Sequence, residues 1–232
     1  MHDEEQGERL AKRVAAIAGC SRREAELLID NGVVRVDGTV VVVPQQRVLP
    51  EQRVEIEKDA KPEAVPPVTL LLHKAAGVAL KLDQPLTAAK RSSSDRSGLR
   101  VLPRHLAEQH CVAPLAPRDS GLVVFTQVFA IERKLKEDAG VIEHELVVDV
   151  QGEVLPDALQ RMRPARVSIT SQRDGHTALR FAIKGPMPGQ VSALCEAAGL
   201  RVLAVRRIRL GRVPLAGLAP GEWRYLLPDE KF

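Results

Sequence analysis

The chain has 232 residues, the length of one large domain or two small ones, with 34 Lys+Arg against 30 Asp+Glu and a net charge of +4. An apolar content of 44% excludes a disordered chain, and no apolar run reaches the length of a membrane span. The acidic start, Met1 to Glu8, lacks the apolar segment of a secretory leader, and the six aromatic residues are too few for a protein that grips single strands by stacking bases.

The small net charge hides a segregation. Residues 9–35 hold Arg9, Lys12, Arg13, Arg22, Arg23 and Arg35 against Glu24, Glu26 and Asp30. Residues 180–212 hold seven basic side chains, among them Arg206, Arg207 and Arg209, against Glu196 alone. Such clusters suit a polyanion, because Arg and Lys displace its counterions. The plain alternative is a solvated face. Cys20, Cys111 and Cys195 are odd in number and far apart, which reads as free thiols in a reducing compartment. The six His show no ligand spacing, so no metal is implied; His105 and His110 read as surface residues.

In chain order, Leu10, Val14 and Ile17 recur at helical spacing, and Gly19 ends that helix. Ser21-Arg22-Arg23-Glu24 reads as a capping box, followed by a helix with Ala25, Leu28 and Ile29 on one face. Asn31-Gly32 stops it. Asp37-Gly38 lies between Val33–Val36 and Thr39–Val43, a hairpin signal, and Arg53–Ile56 is a last short strand. Lys58–Pro67 is charged and Pro-rich, a linker. Val68–Leu72 is a buried strand, and Lys81–Arg100 reads as a mobile loop. Strands then follow at 121–126, 145–150, 165–171, 177–183 and 201–210, with helices at 129–137, 156–162 and 189–198. The pattern predicts an α+β fold with a mixed, mainly antiparallel sheet, and domains at 1–58 and 68–232 joined by 59–67. There is no Gly-rich phosphate loop.

The segment Arg9 to Ile56 resembles the small RNA-binding module named after ribosomal small-subunit protein four, since capped helix, Asn-Gly stop and Asp-Gly hairpin come in that module's order. The resemblance implies that Arg9, Lys12, Arg13, Arg22 and Arg23 face RNA phosphates. Arg22 and Arg23 stand in a first helical turn, where backbone N–H groups also favour anions.

Later segments resemble the bacterial rRNA pseudouridine synthases that carry the same module. They are Leu70–Val78, Ser120–Thr126 (Ser-Gly-Leu-Val-Val-Phe-Thr), Glu143–Val150 and Pro220-Gly221-Glu222-Trp223-Arg224 followed by Leu226. The resemblance implies isomerisation of a flipped uridine without cofactor or metal. It also implies a carboxylate, a Tyr packed on the base and a basic partner for the carboxylate. Counted without gaps, those three places hold Ala116, Leu146 and Ser192. A gapped reading makes Asp119 the carboxylate, with Arg118 beside it; both otherwise read as turn residues at a strand start. The expectation is an RNA-binding member with an impaired site, monomeric and cytoplasmic, whose partner is rRNA or a ribosomal subunit. It would hold RNA through the first helices and Arg206, Arg207 and Arg209. An active synthase using Asp119 and a non-enzymatic ribosome-assembly or translation factor stay open beside it.

Overall fold

The computed structural model describes residues 7–79, 91–215 and 217–232. They form two compact units, one of Met1–Pro67 with Leu99–Glu108, the other of Val68–Gly98 with Gln109–Phe232. The segment Leu99–Glu108 thus groups with the first unit, whereas the sequence places it in the second domain.

The first unit runs β1 (Glu8–Arg9), α1 (Leu10–Ala18), α2 (Arg22–Asp30), β2 (Val34–Val36), β3 (Thr39–Val40), β4 (Arg47–Val48), β5 (Val54–Ile56) and α3 (Pro103–Leu106). Helix α1 stops because Gly19 takes a φ of 63° and donates its N–H to the Ala15 carbonyl. The capping box of α2 is complete. Ser21 donates its N–H to the Glu24 carboxylate at 2.8 Å, and Glu24 donates its own N–H to Ser21 Oγ at 3.3 Å. The two helices bury Leu10, Val14, Leu28 and Ile29 against Val34, Val36 and Val48. Asp37 and Gly38 both have positive φ, as a tight hairpin turn demands, and strand β3 ends at Val40 rather than Val43. Strands β1 and β4 pair over two residues each, too few for any alternation to announce them. His105, expected at the surface, is 3% exposed on α3, and desolvation lowers its pKa.

The second unit runs β6 (Thr69–Lys74), β7 (His110–Val112), β8 (Ser120–Thr126), α4 (Phe129–Glu137), β9 (Glu143–Gln151), α5 (Pro156–Arg161), β10 (Arg166–Arg173), β11 (His176–Lys184), α6 (Gln190–Ala197), β12 (Arg201–Leu210), β13 (Val213–Pro214) and β14 (Trp223–Tyr225). The sheet order is β10-β11-β9-β12-β8-β6-β14, with β7 beside β8 and β13 beside β12. Every pairing between these strands is antiparallel except β12 with β8. The α+β expectation therefore holds. Alternation along β9 and β11 sends Leu146, Val148, Leu179 and Phe181 to one face, where Met162, Val191 and Cys195 cover them. A second core gathers Leu71, Leu122, Val124, Leu135 and Leu210.

Residues 81–90 of the expected mobile loop lie outside the described residues. Its later part is held in place. Ser92 donates its N–H to the Trp223 carbonyl at 2.8 Å, Arg91 pairs with Asp95 at 3.2 Å, and Asp95 accepts the Tyr225 N–H at 3.0 Å. Two hydrogen bonds with β14 and one ion pair within the segment offset the chain entropy that Ser-rich composition alone would leave.

Candidate functional site

Strands β9, β12 and β8 stack three residues in register: Leu146 opposite Arg207, and Arg207 opposite Gly121. Arg207 is 2% exposed. Its Nε donates to the Leu122 carbonyl at 2.7 Å, Nη2 donates to the Ala113 carbonyl, and Nη1 lies 3.4 Å from His144 Nδ1. A guanidinium only donates, so His144 Nδ1 is the acceptor and its ring proton belongs on Nε2. Burial, then the neighbouring Arg207 charge, lowers the His144 pKa to about 3. His144 is therefore neutral across the physiological range.

Lys74 closes β6 and is 1% exposed. Its ammonium donates to the carbonyls of Ala75 at 3.2 Å, Pro117 at 2.8 Å and Asp119 at 2.6 Å. All three hydrogens are spent on backbone, which ties the 117–119 turn to the end of the strand. Asp119 is buried beside it. Desolvation raises its pKa, and the charges of Lys74 and Arg207 offset part of that rise. Asp119, His144, Leu146, Arg207, Gly189 and Val191 border a common cavity of about 10 Å³, room for about one water molecule.

Of the expected catalytic places, Leu146 and Asp119 meet at this cavity. Ala116 lies beside the start of α6, its Cβ 3.9 Å from where a Cβ on Gly189 would stand. Ser192 is half-buried on α6, and its neighbour Val191 takes the cavity-facing place. Sequence reasoning missed Lys74 and His144. The signal was a cation closing the fully buried run Thr69–Lys74.

The basic strand at 201–210 needs correction as an RNA surface. Arg207 is enclosed, with its donors committed to protein. Arg209 pairs with Glu143 at 2.8 Å and Glu145 at 2.7 Å, and Arg166 and Arg180 pair with the same two carboxylates. Only Arg206 of the three stands exposed. The count along the chain failed because the neutralising acids sit on β9, some sixty residues away in sequence.

In the first unit, Arg9, Lys12, Arg13 and Arg22 converge on a groove of about 600 Å³, together with Arg47 and Glu8. Arg23 does not line it. Arg47 was missed because only the short β1–β4 pairing brings it there; its Nη1 donates to the Gly7 carbonyl at 2.7 Å. Among the described residues no group of three or more His, Cys, Asp or Glu is placed to hold a metal, and no helix is long and apolar enough to cross a membrane.

Comparison with known proteins agrees with both units. The S4 domain family model matches residues 8–54. The chain is 26% identical to an uncharacterized RNA pseudouridine synthase of Aquifex aeolicus, covering 96% of this chain and 94% of that protein. It is 27% identical to the ribosomal large subunit pseudouridine synthase B of Bacillus subtilis (96% and 93%). It is 24% identical to the dual-specificity RNA pseudouridine synthase RluF of Escherichia coli K12 (96% and 76%). A crystal structure of a pseudouridylate synthase superposes with a TM-score of 0.55 at 19% identity, over 95% of this chain and 96% of the other, a likeness of fold. The architecture is thus that of an S4 domain joined to a pseudouridine-synthase fold. Over nearly its whole length the chain is similar to RNA pseudouridine synthases, and its residues 8–54 match the S4 domain.

Proposed function

We propose that this chain binds structured rRNA without isomerising its uridines, as a monomer in the cytoplasm and with no cofactor. Residues 1–58 supply the RNA grip, 59–67 a linker and 68–232 a synthase fold whose chemical positions, Ala116, Leu146 and Ser192, are degenerate. The observation that carries the reading is the cavity. About 10 Å³ of free space stands where a flipped base needs a pocket, whereas small-molecule pockets run to about 300 Å³ or more. Leu146 borders that space and offers no aromatic face for a base. The groove at Arg9, Lys12, Arg13, Arg22 and Arg47 supports the binding half, because five cations at one surface favour phosphates over isolated anions. Folded RNA is held through backbone and shape, which needs few aromatics.

One observation favours a second reading, an active synthase using Asp119. That residue is buried at the same cavity as Leu146, and two cations act on its carboxylate. A single experiment separates the two. Purified protein is incubated with unmodified rRNA, bound RNA is measured, and pseudouridine is mapped. Binding without new pseudouridine is expected. A pseudouridine that forms with the natural chain and disappears with Asp119→Asn would overturn the proposal in favour of the second reading.

A further inference from the structure

We infer that the position between Arg13 and Lys12, held by the Glu8 carboxylate, is a phosphate subsite, and that Glu8 is an intramolecular stand-in which an RNA phosphodiester displaces. The inference rests on the RNA-binding role proposed for this groove. Among the described residues Glu8 is the only acid lining it. One carboxylate oxygen accepts from Arg13 Nε, and the other lies 3.7 Å from Lys12 Nζ. A planar two-oxygen anion bridging a guanidinium and an ammonium is the arrangement that the two non-bridging oxygens of a phosphodiester reproduce.

The surroundings fit exchange. The Arg13 side chain is mostly covered, at 19% exposed, and Nη2 donates to the Leu49 carbonyl at 3.4 Å, so the guanidinium stays aimed at the groove. Lys12 is 79% exposed and open to a ligand from solvent. The Glu8 backbone is fixed by pairing with Val48 on β4, so rotation of one side chain frees both cations without moving the strand. The hydrogen bond from Arg13 holds the Glu8 carboxyl below its ordinary pKa, so the stand-in is charged at neutral pH. RNA binding then replaces one anion by another, and the groove's affinity is set below what its cations alone would give.

The test is filter binding of the full chain to a 20-base-pair RNA hairpin at two salt concentrations. Glu8→Gln is expected to tighten binding by about three- to fivefold, the size of a part-exposed ion pair. Glu57→Gln makes the same change of charge outside the groove and is expected to tighten it by less than twofold, as a distant screened charge should. In an Arg13→Gln background only the longer contact to exposed Lys12 is left to release, and the gain from Glu8→Gln is expected to fall below twofold. Equal effects of the Glu8 and Glu57 changes would overturn the inference, as would a gain that stays undiminished without Arg13, while RNA binding itself would stand. Absence of hairpin binding by both the natural chain and Glu8→Gln would instead bring down the RNA-binding role of the groove, and the inference with it.

Discussion

Gly121 and Arg207 face each other across the parallel β12–β8 pairing, so closely that a Cβ on Gly121 would lie 2.2 Å from the Arg207 carbonyl oxygen and 2.6 Å from its amide nitrogen. Gly121 also has a φ of 110°, which side-chain-bearing residues rarely adopt. The glycine of the Ser-Gly-Leu motif is therefore required by backbone approach. Gly121→Ala is expected to cost about 3 kcal/mol or more, or to prevent folding, as read by urea unfolding. An unfolding midpoint within error of the natural chain's would contradict the close approach.

Arg206 and Arg207 are neighbours with opposite tasks. Arg207→Met leaves the Leu122 and Ala113 carbonyls and His144 Nδ1 without their donor, so a loss of about 3 kcal/mol is expected. Arg206 is exposed, and Arg206→Ala should leave stability within about 0.5 kcal/mol. Its effect should appear in RNA affinity alone, as a shallower salt dependence. Urea titration of both variants beside salt-dependent RNA binding checks the contrast; matching unfolding midpoints for the two would refute it.

The two modules were legible because their signals are local. Ser21 and Glu24 are three apart, Asp37-Gly38 is a two-residue turn, and the alternation along 177–183 needs no partner to be read. What escaped depends on residues distant in sequence. His105 is buried because the first unit encloses α3, which no pattern near His105 encodes. Arg209 faces glutamates of a strand sixty residues earlier, so a count along the chain mistook a largely compensated ion-pair network, three arginines on two glutamates, for a free basic patch. The candidate site was half legible. Family motifs pointed to Leu146 and Asp119, while Lys74, Arg207 and His144 gain their roles only through sheet register and the turn before β8.

His144 gives the second unit a predictable acid sensitivity. Its folded pKa, about 3, lies below the ordinary value of 6.5. The neutral ring's contribution is therefore complete above pH 6.5 and is lost as pH falls from there toward 3, by up to about 1.4 kcal/mol per pH unit. Asp119 acts with opposite sign. Its raised pKa favours the folded state below its ordinary value, and that contribution fades as pH rises through the folded pKa. His144→Asn should therefore flatten the fall in thermal midpoint between pH 6.5 and 5. His105, in the first unit, is also depressed by burial, so some acid sensitivity should persist. Parallel curves for His144→Asn and the natural chain would mean that His144 is not held neutral.

Installing the side chains of the synthases that the chain resembles is not expected to produce their chemistry. Leu146 is 3% exposed, paired in register with Phe181 on one side and Arg207 on the other, and borders a cavity of about 10 Å³. A tyrosine there must displace packed neighbours, at a cost of about 1–3 kcal/mol, and its hydroxyl needs a partner among donors already in use. An aspartate at Ala116 would stand beside the start of α6, while Lys74 spends its hydrogens on the carbonyls of Ala75, Pro117 and Asp119. The triple variant Ala116→Asp, Leu146→Tyr, Ser192→Arg is thus expected to bind RNA through the unaltered groove, unfold at lower urea, and form no pseudouridine. Mapping the product RNA decides it. Pseudouridine formed by this variant would show that the cavity opens around a base and that three side chains were all that isomerisation lacked.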